Sequence, residues 1–290
     1  RGRARPRVGG RGPDTLTETS PQRSAVRPRG GGVQNAADEG SGGMGTGGRL
    51  VGVGVGPGDP DLVTVKAVRR MRESDAVIVP VLAGDEPGRA EATVRAHVDE
   101  SRIERAVFAL NDRNGLSTRR VRAWDAAARA VLRHFEEGKA AVAFATIGDP
   151  NVYSTFTYLA QTVREMAPET EVETIPGITA MQDLAARSGR VLAEGSEPLT
   201  LLPVTGGVQR LRSALDSDAT VVAYKFGRFA PQVADAVRES GRGEDSVYGA
   251  RLGLADEEIA PVAELDGADL SYLSTLIAPA RREAGRGGKL

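Results

Sequence analysis

The sequence predicts an α/β protein with two domains: a mostly parallel five-stranded sheet in the first, and a mixed sheet with helices in the second. Three observations predict it. Residues 140–147, AAVAFATI, form a nearly continuous apolar run without polar alternation, the pattern of a strand covered by helices on both faces. That run stops at Gly148-Asp149-Pro150 and gives way to helical spacing through Phe156, Leu159 and Val163. Gly-Asp-Pro therefore falls at the carboxyl edge of a central strand, where open α/β sheets bind their ligands. Finally, five strands alternate with helical segments ahead of residue 190, as right-handed crossovers between parallel strands require.

Taken in order, residues 1–48 are rich in Gly, Arg, Pro, Ser and Thr and hold almost no large apolar side chains. Such a segment cannot bury enough surface to offset its ordering entropy, so it is expected to be a disordered extension. It lacks the apolar core of a signal peptide. Residues 49–55 read as the first strand, leading into Gly52-Val53-Gly54-Val55-Gly56-Pro57-Gly58-Asp59-Pro60. A glycine-rich turn here suggests a dinucleotide fingerprint. Counted from Gly52, however, the third fingerprint glycine falls on Pro57. Pro57 and Pro60 also delay the next helix to about Asp61, so no helix amino end meets a pyrophosphate. A nicotinamide or flavin cofactor is disfavoured.

Leu62, Val65, Val68 and Met71 mark a helix, residues 76–79 a strand ending at Pro80, residues 91–98 a helix and residues 106–110 a third strand. Trp124, Ala127, Val131, Leu132 and Phe135 follow helical spacing and face a core. After the 140–147 strand, residues 171–175 give a fifth, ending in Pro176-Gly177-Ile178-Thr179-Ala180 and another helix. Periodicity breaks at 190–198, which divides a first domain, 49–195, from a second, 196–280. The second domain should hold strands at 199–204, 220–226, 246–252, 260–265 and 272–277, with helices at 208–215 and 231–239. Residues 281–290 are polar and expected to fray.

Composition removes several function classes. Hydrophobic residues make up 40% and charged residues 27%, as in a globular protein. A formal net charge of -1 gives no global field toward nucleic acid or anionic membrane. The absence of cysteine excludes disulfides, thiolate metal sites and a cysteine nucleophile, and fits the cytoplasm. His97 and His134 both fall in helical patterns, which leaves no histidine metal site and no Ser-His-Asp triad. No apolar stretch approaches the ~18 residues of a membrane span.

Three turns, each following a strand of the first domain, can be taken together: Gly56-Pro57-Gly58-Asp59-Pro60, Gly148-Asp149-Pro150-Asn151-Val152-Tyr153-Ser154 and Ile175-Pro176-Gly177-Ile178-Thr179. In this order and spacing they resemble the tetrapyrrole (corrin/porphyrin) methyltransferases, over about residues 49–279. Within that family the pattern is most similar to the enzymes that methylate C20 of precorrin-2. It shares with them Leu62-Val63-Thr64, Lys66-Ala67-Val68, Tyr153-Ser154-Thr155-Phe156, Ala193-Glu194-Gly195, Glu197-Pro198-Leu199 and Lys225-Phe226-Gly227-Arg228. The resemblance implies a two-domain tetrapyrrole methylase fold, a homodimer, and S-adenosyl-L-methionine bound between the domains. It also implies methyl transfer to precorrin-2, or to its cobalt-loaded counterpart, in cobalamin synthesis. Alternatives are another corrin carbon, a non-tetrapyrrole substrate, or a nucleotide-holding module without catalysis.

Carried over position by position, the resemblance assigns cofactor contacts to Pro57, Ile147, Gly148, Asp149, Val152, Thr179, Ala180, Phe226 and Gly253. Relatives that methylate uroporphyrinogen have an aspartate after the second strand; here the position is Pro80, and no catalytic base is named. The chemistry agrees with the inventory, because methyl transfer is an in-line displacement at carbon that calls for alignment and needs no metal, cysteine or histidine. The tetrapyrrole is a polycarboxylate, so Arg113, Lys225 and Arg228 are candidates to pair with its acidic arms. Arg119 and Arg120, on a predicted helix, read instead as solvated surface cations.

Overall fold

The first five strands are β1 (Arg49–Gly54), β2 (Ala76–Val81), β3 (Ile103–Val107), β4 (Ala141–Thr146) and β5 (Glu171–Ile175). They form one wholly parallel sheet in the order β3-β2-β4-β1-β5. The chain is described here from a computed structural model, which covers residues 47–82, 87–109, 116–265 and 270–282. These belong to one compact unit, Gly45–Leu290. The expected extension up to residue 46, most of the expected C-terminal tail, and Arg113 lie outside the described residues.

Alternation along the strands decides the layers. Val51, Val53, Val77, Val79, Ala143 and Ala145 face one way, onto Ala67 and Met71 of α1 (Val65–Glu73) and Ala90 and Val94 of α2 (Arg89–Arg95). Leu50, Ile78, Val142 and Phe144 face the other way, onto α3 (Thr118–Glu136) and α4 (Phe156–Met166). Both faces are covered, which is why β4 is a continuous apolar run. Each buried side chain of this kind contributes roughly 1.5–3 kcal/mol.

Two strands of this sheet differ from expectation. Pro80 lies inside β2 rather than after it. The Val81 carbonyl accepts from Phe108 of the β3 side, so the main chain of Pro80 faces β4, whose ladder with β2 has ended at Ile78. Its missing N–H therefore costs no sheet bond. Second, β3 covers residues 103–107 instead of 106–110. It is an edge strand, and Glu104 and Arg105 are matched by His134 and Glu91, so charge rather than apolar alternation fills it.

The second sheet has the order β6-β7-β10-β8-β9, from β6 (Leu199–Pro203), β7 (Thr220–Tyr224), β8 (Val247–Ala250), β9 (Glu258–Pro261) and β10 (Ser274–Ala278). The β6–β7 pair is parallel and the rest are antiparallel, the mixed sheet expected, but β9 covers 258–261 instead of 260–265, because the chain turns into a short 3-10 helix at Val262–Glu264. One face packs on α6 (Gln209–Leu215) and α7 (Ala230–Glu239). The other takes α5 (Ala180–Ser188), through Leu184 and Ala185. Although α5 lies in the sequence range of the first domain, it packs on the second sheet, and Val152 joins the same cluster. The segments after β4 and β5 are thereby tied to the second sheet.

Candidate functional site

The ends of β4, β1 and β5 are neighbours in the sheet, so the three turns that follow them meet at its carboxyl edge. Their approach is backbone on backbone. A Cβ on Gly54 would lie 2.5 Å from the Gly148 carbonyl oxygen and 2.6 Å from the Gly177 nitrogen. A Cβ on Gly177 would lie 2.1 Å from the same carbonyl oxygen. The Gly148 N–H donates to the Gly56 carbonyl at 2.7 Å, bridging first and second turns. Asp149 fastens second to third: buried, it accepts from the Asn151 N–H at 2.8 Å and from the Gly177 N–H at 3.0 Å. Gly148 itself has φ +69° and faces open space, with no atom within 4 Å of where a Cβ would stand. That is a cradle a side chain would fill.

The remaining cofactor candidates divide by depth. Pro57 is buried beside this junction and Ile147 is half-buried, packing toward the first core. Thr179 caps α5, its N–H and hydroxyl both donating to the Gln182 Oε1 at 2.9 and 3.1 Å, and Ala180 opens that helix against the second sheet. A Cβ on Gly253 (φ +71°) would lie 2.3 Å from the Asp59 nitrogen, so the loop after β8 sits directly on the first turn. Phe226 differs from the others. Its ring is wholly buried among α7 and the second sheet, and its N–H and carbonyl are bonded to the Ser274 hydroxyl and the Phe229 N–H.

Of the three candidate cations, Arg113 lies outside the described residues. Lys225 projects its Nζ toward the Tyr153 carbonyl at 3.3 Å, and over the rings of Tyr153 and Tyr272 at 5.5 and 5.2 Å. Arg228 bonds the Thr205 carbonyl and stacks on Phe229. Lys225 thus reaches the loop after β4 and joins the three-turn region, whereas Arg228 points along the second sheet. Burial raises the phenols of both Tyr153 and Tyr224, so both stay neutral. The Tyr224 hydroxyl accepts from the Met181 N–H at 3.0 Å, which pins the start of α5.

Several residues of this junction escaped the sequence reading. Thr93, fully buried on α2, donates to the Gly58 carbonyl at 3.0 Å, and His97 bonds the Pro60 carbonyl at 2.9 Å. Neither carries a local signal beyond helical spacing. Tyr153 did stand in a quoted motif, and its aromatic type beside Gly-Asp-Pro was the available clue.

A concave region of about 570 Å³ lies at the amino ends of β2, β3 and β4, away from the three turns. Its lining charges are matched. Glu91 is held at about 2 first by Arg105, against the opposing cost of burial, then by Arg95 and the Gly88 N–H. His134 bonds Glu104 at 2.8 Å and Lys139 at 2.7 Å, so both of its ring nitrogens are satisfied. Among the described residues, no group of three acids, histidines or cysteines is placed to hold a metal, and no helix is long and apolar enough to cross a membrane.

Comparison with known proteins bears on the chain as a whole. A precorrin-2 C(20)-methyltransferase from Sinorhizobium sp is 32% identical over 238 residues, 80% of this chain and 95% of that protein. A probable cobalt-precorrin-2 C(20)-methyltransferase from Methanocaldococcus jannaschii is 36% identical over 178 residues, 61% of this chain and 72% of that protein. The solved structure of uroporphyrin-III C-methyl transferase from Thermus thermophilus, complexed with S-adenosylhomocysteine, shares the fold. Its TM-score is 0.53 at 21% identity, covering 80% of this chain and 97% of that one. The family model for tetrapyrrole (corrin/porphyrin) methylases matches residues 49–266, and the chain belongs to that family.

Proposed function

We propose that this chain transfers a methyl group from S-adenosyl-L-methionine to C20 of precorrin-2, or of its cobalt complex, giving precorrin-3A or its cobalt counterpart in corrin-ring synthesis. The observation that carries the reading is the junction of three turns beside the open space at Gly148. The named relatives from Sinorhizobium and Methanocaldococcus support the C20 position, and the bound S-adenosylhomocysteine of the Thermus structure supports the cofactor class. S-adenosylmethionine supplies the methyl group from a sulfonium. Gly148 leaves room for the ligand, and Pro57, Ile147 and Val152 give apolar walls. Thr179 and Ala180 offer a helix start, Gly253 holds the far side of the first turn, and Asp149 keeps the turns in register without being spent on the ligand. Phe226 supports the site from within the second core.

Because displacement at carbon depends on alignment, a site made of interlocked backbone suits it. Lys225 is placed to meet an acidic arm of the substrate; Arg228 and Arg113 remain candidates for others. The reading includes a cytoplasmic homodimer that binds neither nucleic acid nor membrane. It takes the two halves, 49–195 and 196–280, as working domains joined through α5. The test is incubation with precorrin-2, and separately its cobalt complex, with labelled methyl donor. Mass and absorbance should report one added methyl. Tight S-adenosylhomocysteine binding with no methylation of either would remove the substrate while keeping the cofactor.

A further inference from the structure

Among the described residues, the non-glycine residues with left-handed backbone are Tyr153 (φ 50°), Lys225 (φ 63°) and Arg251 (φ 53°). Such strain persists only where surrounding structure enforces it, and it gathers at functional sites. These three are distant in sequence yet converge on the segment that leads into β10. The Lys225 N–H donates to the Ser274 carbonyl at 2.9 Å, and the Arg251 N–H to the Leu273 carbonyl at 3.1 Å. The Lys225 ammonium stands over Tyr272 and Tyr153, and the Tyr153 carbonyl accepts from it.

A fourth residue reaches the same segment from the first sheet. Arg89 donates through Nη2 to the Ser271 hydroxyl at 3.4 Å. It sits one helical turn before Thr93, which bonds the Gly58 carbonyl, so Arg89 lies above the first turn. Leu252 and Gly253 press on that turn from the other side. Arg251, just before them, is paired with Asp256 at 2.7 Å. Arg89 is lowered by desolvation first, with Asp256 opposing and Arg251 adding repulsion. Neither Arg89 nor Lys225 has a carboxylate at ion-pair distance among the described residues, whereas Arg95, Arg105, Arg187 and Arg282 each have one.

We propose that Arg89 and Lys225, at the two ends of the Ser271–Ser274 segment, form a two-point anchor for carboxylate arms of the macrocyclic substrate. This rests on the tetrapyrrole reading above. Arg89 offers a planar fork for one carboxylate. Lys225 offers a point charge whose direction is fixed by two rings and a strained backbone. Two cations on one rim, above the turns but outside the Gly148 space, orient the macrocycle without touching the methyl donor.

The test uses uroporphyrin III, a stable fluorescent octacarboxylate, and its octamethyl ester as the uncharged control. Wild type should bind the acid and not the ester, with affinity falling as salt rises. Arg89→Gln and Lys225→Gln should each weaken acid binding about tenfold and flatten the salt dependence, while leaving S-adenosylhomocysteine affinity within twofold. Arg89→Lys should recover part of the loss. The exposed Arg164→Gln is the control, and circular dichroism melts check folding of each variant. The same variants should raise KM for precorrin-2 more than they lower kcat. Unchanged acid binding in both folded variants, with wild type active on precorrin-2, overturns the anchor alone. Failure of wild type to bind the acid or to methylate precorrin-2, with S-adenosylhomocysteine still bound, overturns the substrate reading and the anchor with it.

Discussion

Asp149→Asn separates the two tasks of one carboxylate. Oδ1 accepts from Asn151 at 2.8 Å within its own turn, and Oδ2 from Gly177 at 3.0 Å across 28 positions of sequence. Hydrogen bonds to a charged group contribute about 1.5–3 kcal/mol each. An asparagine keeps one acceptor and can still close the local turn. Its amide nitrogen then faces the Gly177 N–H, a donor against a donor. The expected loss is about 2 kcal/mol for Asp149→Asn and about 4 kcal/mol for Asp149→Ala, which removes both bonds. Urea denaturation at neutral pH measures both, with an unchanged m-value as the sign that only the native state was affected. Titration of S-adenosylhomocysteine into the folded variants follows, and both should bind more weakly because the second and third turns separate. The affinity loss should track the stability loss. Wild-type stability in Asp149→Asn would refute the fastening role and leave any loss in Asp149→Ala to the local turn, whereas equal losses in Asn and Ala would place the whole effect in the bond to Gly177.

Other outcomes follow from the same geometry. Gly148→Ala keeps the space nearly open but sets a side chain at φ +69°; it should cost about 1 kcal/mol of stability and weaken S-adenosylhomocysteine at least ~10-fold, about 1.4 kcal/mol, read by calorimetry. Valine at this position is a poorer probe, because a β-branched side chain adds strain of its own. Gly54→Ala should fail to give folded protein, since its new methyl meets three backbone atoms under 3 Å, and circular dichroism reports that directly. Glu91 is held at about 2, against an ordinary 4.5, so its ion pairs add about 3 kcal/mol above pH 4.5. That stability is lost as pH falls from 4.5 toward 2; Glu257, also at about 2 through Arg187, adds to the same limb. Urea midpoints between pH 6 and 3 should fall steeply in wild type and less in Glu91→Gln, which starts lower. Light scattering should report about twice 30.4 kDa if the chain pairs as a symmetric dimer.

What could be read locally was read correctly where residue type and backbone agree. Apolar runs gave β1 and β4, because burial on both sides leaves no other composition for a strand; β5, at the sheet edge with Glu171 and Thr174 exposed, was marked instead by the Pro-Gly turn that ends it. Gly-Pro and Gly-Asp-Pro gave the turns, because few residues tolerate those dihedrals. The edge strand β3 was displaced in the reading because its partners are ion pairs, and an ion pair between β3 and α2 or α3 leaves no period in the sequence of either. The strand order, which alone brings Gly54, Gly148 and Gly177 into contact, is a property of the assembled sheet. Phe226 shows the converse. Its place in a shared motif suggested a ligand contact, yet the ring is core, since a motif fixes a position in the chain and not which atoms of the residue face outward. Tyr153, Lys225 and Arg251 are the least legible. Each holds a conformation its own type disfavours, so propensity argues against the backbone that is present. Their placement is imposed by the loops and strand that surround them, and it becomes readable only once Ser271–Ser274 is seen threading between them.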